Sequence, residues 1–596
     1  MKGKQFLRQL LTATLANILG GIIILILVFV LIVGRISSAT EKEMKKVSDN
    51  SVLTINVSGS LMERGYMDPF AALAGDDNRP IALDQLRWAI KEAKEDDRIK
   101  GIYLNMDLAG GGYASYEAFR KLLEDFKESG KFIIAHGEIY TEKTLYLASA
   151  ADEILLYPTG NVEWNGMASN QVFLRGLLDE LGMDPILFRV GKYKSAAENI
   201  VNRELSEPNR KQIKMLLNDM WSQTLETYAQ ARGLSVEELD TLAAKFAVVT
   251  AKDAKEHGLV DDFAYFDEVE EKLRDKLGLE EEDELRTIGY ADYYDNVMGD
   301  REFKENKIAV IYAVGNIIYG EGNETTIGSE TLSKQIREAR EDENVKAVVL
   351  RINSGGGSAL ASDIIWREIM LTKKEKPVIA SMGDVAASGG YYIAAPADKI
   401  LAEPNTVTGS IGVIGLLLNS QDFFEDELYL NFQQVYSHNT EYADLGNPNR
   451  PMSDYEKEKI QRGVDDVYED FLEVVKQGRN FPSVDSVHTI AQGRVWSGIR
   501  AKEIGLVDEL GGLDRALELA AEAAGLEEYR IQEIPKMKDP FQRLLEDLGG
   551  GQAKTRLEML AEILPEEHLF IVQLLQHWND PRNVYMRTTF NPATIQ

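Results

Sequence analysis

Two long stretches of this chain repeat one another at a nearly fixed distance, and that duplication limits the fold more than any single motif. Gly-Ile-Tyr-Leu-Asn-Met-Asp at 101–107, followed by Gly110, Gly111 and Gly112, returns as Ala-Val-Val-Leu-Arg-Ile-Asn at 347–353, followed by Gly355, Gly356 and Gly357. KFIIAH from Lys131 returns as KPVIAS from Lys376. Tyr-Leu-Ala-Ser-Ala-Ala-Asp, ending at Asp152, returns as Tyr-Ile-Ala-Ala-Pro-Ala-Asp, ending at Asp398, and AKEHGLVDD from Ala254 returns as AKEIGLVDE from Ala501. The offset stays near 246 residues, far beyond the 20–50 of stacked repeats, so the body is two copies of one unit and not a solenoid.

Within each copy, short apolar runs alternate with helical stretches. The runs at 101–107, 132–136, 347–353 and 377–381 read as strands, and Tyr116–Lys127 and Asp363–Leu371 as helices between them. Strand, helix, strand at this spacing predicts βαβ units around buried, mostly parallel sheets, an α/β fold. The first copy is expected over 50–300 and the second over 306–540, with the charged stretch from Asp267 to Asn306 as the join. A break at Gly549-Gly550-Gly551 opens a C-terminal extension, 541–596. There Leu557, Leu560, Ala561 and Leu564 share a helical face. Glu558 and Glu562 beside that face favour packing on the body or on a partner subunit over a lipid surface.

The chain is 596 residues long with a formal charge of −31, which disfavours a nucleic-acid partner. It has no cysteine, which excludes disulfides, thiolate metal sites and cysteine nucleophiles. Leu15–Val33 is uncharged and apolar, about the 20 residues needed to span a bilayer. Lys2, Lys4 and Arg8 precede it, which predicts a transmembrane anchor at 15–34, residues 1–14 in the cytoplasm and the body outside. The alternative is a cleaved signal peptide ending near Ser37-Ser38-Ala39, but the apolar run exceeds the usual length of one.

Chemistry is expected where the copies differ. In the second copy a strand runs into Ala387-Ser388-Gly389-Gly390 and then a helical pattern. A serine at such a turn stands at the carboxyl edge of the sheet beside free N–H groups. The loop Asn353-Ser354-Gly355-Gly356-Gly357 can aim amides at an oxyanion. The first copy has Glu142-Lys143-Thr144 instead and lacks the nucleophile. The same residues would also serve simple helix-on-sheet packing. A serine nucleophile needs a base. Of six histidines only His136 ends a strand, and a structural role suits it better; no G-x-S-x-G is present. Lys192 and Lys194 in GKYKSA, 191–196, are the other candidates, and periodicity selects neither.

In order along the chain, GKYKSA at 191–196, RINSGGGS at 351–358, SMGDVAASGGYYIA at 381–394, TGSIG at 408–412 and GRVWSGIRAKEIGLVDELGG at 493–512 resemble the tandem-copy form of the signal peptide peptidase A family. The resemblance covers roughly residues 50–540 and the N-terminal anchor. It implies the Clp-protease/crotonase fold in two copies, and a serine endopeptidase with nucleophile Ser388, general base Lys194 and Ser410 orienting the lysine. It also implies oxyanion donors at the amides of Gly389 and Gly356. One departure is Gly355, where the family often has proline. Substrates would be signal peptides left in the membrane after precursor cleavage, and other apolar segments. The body would lie on the periplasmic side of a bacterial inner membrane, in a ring-like homotetramer. No metal, nucleotide or other cofactor is called for. Two rival readings are a crotonase-type acyl-thioester enzyme, which would use similar amide pairs, and an inactive membrane scaffold.

Overall fold

A computed structural model describes residues 46–65, 80–298, 304–438, 440, 442–537 and 584–587. The expected anchor at 15–34, the cytoplasmic segment and the amphipathic face at 557–564 lie outside the described residues. Among the described residues no helix is long and apolar enough to cross a membrane.

The duplication reappears as two parallel sheets. In the first, strands Ser51–Met62, Ile99–Gly110, Phe132–Tyr140 and Glu153–Val162 lie side by side in that order, all parallel. In the second, Lys307–Val314, Val345–Ser354, Val378–Ala387 and Lys399–Ala402 do the same. Helices cover them, for example Tyr113–Lys127 in the first copy and Ala359–Thr372 in the second. Strands covered on both faces carry continuous apolar runs: Ile308 through Ala313 are all buried.

Equivalent polar anchors set equivalent turns. Asp152 accepts a hydrogen bond from the amide of Ile133 (2.8 Å), and Asp398 from that of Val378 (2.9 Å). Lys131 Nζ donates to the carbonyls of Ala93 and Asp96, and Lys376 Nζ to those of Ala339 and Asp342. Each copy also carries a helix of 26 residues, Glu207–Arg232 and Asp454–Arg479. Up to Met298, the stretch read as a join packs with the first unit. Thr287–Gly289 pairs in parallel with Ser51–Met62, as Arg530–Ile534 pairs with Lys307–Val314 in the second copy. The charge that suggested a linker belongs to the exposed side of helix Phe266–Leu277, whose buried side holds Val269 and Leu273.

A third sheet joins the copies. Asp184–Val190 of the first copy pairs antiparallel with Val413–Asn419 of the second over seven residues, from Val190 opposite Val413 to Asp184 opposite Asn419. Phe188, a first-copy residue, is thereby buried in the core of the second copy. Next in this sheet comes Val584–Arg587 from the C-terminal extension, then Gly356–Ser358. Part of the extension thus packs on the body. A buried ion pair also ties the copies: Arg351 grips Glu63 with two hydrogen bonds, at 2.7 and 2.9 Å.

Candidate active site

The strand Val378–Ala387 ends at Ser388, and helix Gly389–Ala394 begins with the next residue. Ser388 has φ 58° and ψ −116°, a conformation that non-glycine residues rarely adopt and that costs of order 1–3 kcal/mol. Its amide donates to the carbonyl of Gly409 (2.8 Å), which holds the turn against the loop 409–412. Ser410, on that loop, also has a positive φ of 50°. Two hydroxyl residues in left-handed backbone at one spot mark a place where the fold imposes geometry on the chain.

The antiparallel pairing of Asp184–Val190 with Val413–Asn419 delivers Lys194 to this spot. Just beyond the paired strand the chain turns at Gly191, and the amide of Tyr193 donates to the carbonyl of Gln492 (3.0 Å). Lys194 Nζ stands 2.7 Å from Ser388 Oγ, 2.9 Å from the Ser410 carbonyl oxygen and 3.1 Å from Ser410 Oγ. All three side chains are buried, and among the described residues no carboxylate pairs with the lysine. Burial alone pushes the Lys194 amine well below the usual lysine value. A neutral amine has two hydrogens and one lone pair. With the hydrogens donated to Ser410, the lone pair faces the Ser388 hydroxyl and can take its proton.

Gly389 occupies the first helical position, where an amide has no acceptor within its own helix. Gly356, at φ +95°, approaches it closely: a methyl placed on Gly356 would stand 2.6 Å from Gly389 N. The Gly356 amide itself donates to Ser354 Oγ (3.1 Å), so it would reach an oxyanion by sharing or exchanging that acceptor.

The other candidates separate from this cluster. Lys192 lies over the ring of Tyr193. His136 is buried in the first copy, where its Nε2 lies 3.1 Å from the Ala264 carbonyl and its Nδ1 3.2 Å from the Tyr103 hydroxyl. The carbonyl can only accept, so Nε2 carries the proton and Nδ1 accepts from Tyr103. Both nitrogens are in structural use. In the first copy the turn equivalent to Ser388 is an ordinary helix start. Its N-cap is Thr141, one place ahead of Glu142, and it is engaged in a capping box with Thr144.

Two positioning residues escaped the sequence reading. Gly493 backs the lysine so closely that a methyl there would lie 2.4 Å from Lys194 Cβ, and its φ is +76°. Gln212, buried on the long helix of the first copy, donates to the Tyr193 carbonyl (3.0 Å) and Ser195 Oγ (3.1 Å) and accepts from the amide of Val495. Gly493 stands inside a motif noted above, but nothing in sequence says that its missing side chain leaves room for Lys194.

The model of peptidase family S49 matches residues 125–280 and 370–527, once in each copy. The chain belongs to this family. The S49 chain is 34% identical to the chloroplast serine protease SPPA of Arabidopsis thaliana over 517 residues, covering 85% of this chain and 74% of that one. It is 34% identical to protease 4 of Salmonella typhi, covering 83% and 82%, and 31% identical to protease 4 of Haemophilus influenzae, covering 94% of each. Family and relatives make it a serine protease. A solved ClpP1 mutant from Listeria monocytogenes aligns over 35% of this chain and 94% of its own, at 18% identity and a TM-score of 0.24, too low to bear on the architecture.

Proposed function

We propose that this S49 protease is a membrane-anchored endopeptidase that works by a Ser388/Lys194 dyad and degrades apolar peptides, chiefly signal peptides already cut from their precursors. The observation that carries the dyad is the 2.7 Å approach of Lys194 Nζ to Ser388 Oγ in a buried site where, among the described residues, no carboxylate pairs with the lysine. Ser388 Oγ attacks the scissile carbonyl while Lys194 takes its proton. The Gly389 amide, joined by that of Gly356, stabilises the oxyanion; one such donor is typically worth about 2.7–4 kcal/mol. Lys194 returns the proton to the leaving amine, then activates the water that releases the acyl group. Ser410 holds the amine in line throughout. Apolar preference is supported by the small, uncharged Val385-Ala386-Ala387 ahead of the nucleophile.

Fluorophosphonate labelling tests the nucleophile: the wild-type protein is expected to label and Ser388→Ala not to, and equal labelling of both would refute the assignment. Residues 15–34 as the anchor, with the body outside a bacterial inner membrane, follow from the charge asymmetry around Leu15–Val33. Protease added to spheroplasts should digest the body, and full protection would contradict this orientation. The ring-like homotetramer belongs to the same proposal through the family resemblance. Light scattering should then return about four times the 66.7 kDa chain mass.

A further inference from the structure

A short segment of the second copy, Gln492–Arg494, holds the backbone at both Lys194 and Ser410. The Gln492 carbonyl accepts the Tyr193 amide (3.0 Å), and the Arg494 carbonyl accepts the Ser410 amide (2.7 Å). Between them, Gly493 backs Lys194 itself. Gln492 sits in left-handed backbone, φ 55°, which side chains other than glycine rarely adopt. It is also wedged against Gly191, where a methyl would stand 2.3 Å from the Gln492 carbonyl carbon. A residue in such a conformation keeps it only where its surroundings hold it there.

One of those holds is the hydroxyl of Tyr468, which accepts a hydrogen bond from the Gln492 amide (3.2 Å). Tyr468 comes from helix Asp454–Arg479 and is buried in the core of the second copy. Its hydroxyl has a second partner, His488 Nδ1, at 3.0 Å, and the two rings meet edge to face. A phenol has one hydrogen to give, and the Gln492 amide can only donate. The Tyr468 oxygen therefore accepts from Gln492, and its hydrogen goes to His488. This works only if Nδ1 keeps its lone pair, with the imidazole neutral and its proton on Nε2. A protonated His488 would present a hydrogen at Nδ1 as well. The Tyr468 oxygen would then face two donors, and its own hydrogen would lose its acceptor.

His488 is exposed, in the last turn of helix Val484–Ile490, so solvent protons reach it. Imidazole is the side chain whose charge ordinarily changes between about pH 5 and 8. The charged neighbour on its own helix is Asp485. On the facing helix Asp465, one turn before Tyr468, accepts from the Gln461 side chain (2.8 Å). Arg494, on the segment that follows, is stacked over the rings of Tyr193 and Trp496. Among the described residues no carboxylate lies within 4.0 Å of either nitrogen of His488. We propose that Tyr468 is a positioning residue for Lys194, and that His488 governs it through its charge. Neutral His488 fixes the Tyr468 hydroxyl on Gln492 and keeps the dyad aligned; protonated His488 releases the Gln492–Arg494 segment and loosens it. The proposal rests on the Ser388/Lys194 reading. It gives the acid side of the activity profile a second step, separate from protonation of Lys194 itself.

The test is kcat and KM on one apolar fluorogenic peptide from pH 5 to 9, for the purified full-length protein and three variants. Tyr468→Phe keeps the ring and loses the hydroxyl. Its kcat should fall at least fivefold at pH 8 with KM within twofold of wild type and native circular dichroism, and the gap should narrow toward pH 5. His488→Asn offers an amide oxygen that accepts the Tyr468 hydrogen at every pH. It should match wild type at pH 8 and exceed it at least threefold at pH 5.5. His488→Leu offers no acceptor and should be at least threefold slower than wild type at pH 8. Wild-type kcat in Tyr468→Phe at pH 8 would overturn the proposal and leave the dyad standing. So would a His488→Asn curve that follows wild type throughout, or one equal loss at every pH in all three variants, which marks structural support alone. Turnover that survives in Lys194→Ala would instead bring down the dyad itself.

Discussion

At the scale of single residues, a lysine held neutral in a buried site works against the stability of the fold that holds it. Unfolded, Lys194 is protonated up to about pH 10.4; folded, burial keeps it neutral down to a much lower pH. Between those two values the unfolded chain binds the extra proton, so this group's contribution to stability rises with pH and is unfavourable near neutrality. Lys194→Met is therefore expected to abolish turnover yet raise the resistance to thermal unfolding at pH 7, by about 0.5–2 kcal/mol. That gain should shrink as the pH approaches 10, and differential scanning calorimetry across pH reads both effects. Gly493→Ala should do the opposite kind of damage. Its methyl would lie 2.4 Å from Lys194 Cβ at a backbone angle that favours glycine, so Lys194 must shift. Turnover should fall at least a hundredfold while circular dichroism stays native, because misplacement of about 1 Å is enough for such a loss. Ser388 was legible in the sequence because the duplicated partner lacks it. Lys194 was legible only through resemblance, since its place beside Ser388 depends on pairing across 194 residues of chain. Gly493 and Gln212 were not legible at all, because each acts around the lysine only once the chain is folded, Gly493 from the other copy and Gln212 from the next long helix.

At the scale of elements, the strand pair Asp184–Val190 and Val413–Asn419 does the positioning, and Phe188 fixes it in the second core. Phe188→Ala should cost about 3–5 kcal/mol. The loss should appear in the second copy, read as faster amide exchange over Val413–Asn419 and not over Ile99–Gly110. The apolar runs located the parallel strands well, because strands buried on both faces leave an unbroken apolar record. Helix starts were read late. Tyr113–Lys127 begins three residues before its expected start, and Ala359–Thr372 four residues before, where Ser358 caps the amide of Ala361. The glycine and serine that begin these helices read as loop in isolation. The strand Val584–Arg587 left no signal, since four residues completing a sheet made by other parts of the chain carry no period of their own.

At the scale of the whole molecule, the proposed dyad makes the two copies one catalytic unit, because each supplies what the other lacks. Lys194 comes from the first and Ser388 and Ser410 from the second, and Asp219 of the first copy grips Arg500 of the second with two hydrogen bonds. The buried pair of Glu63 with Arg351 extends the same joint. Glu63→Ala would leave the guanidinium buried without its counter-charge and should cost about 3–5 kcal/mol, measured by urea unfolding. Replacing both Glu63 and Arg351 by methionine should recover most of it. The measurement that tests the dyad most directly is turnover of one fluorogenic apolar peptide by purified Lys194→Ala and His136→Ala across pH. Lys194→Ala should be inactive throughout. His136→Ala should keep the wild-type profile, falling as acid protonates Lys194 and holding toward alkaline pH. Near-wild-type turnover by Lys194→Ala, with loss in His136→Ala, would contradict the Ser388/Lys194 mechanism.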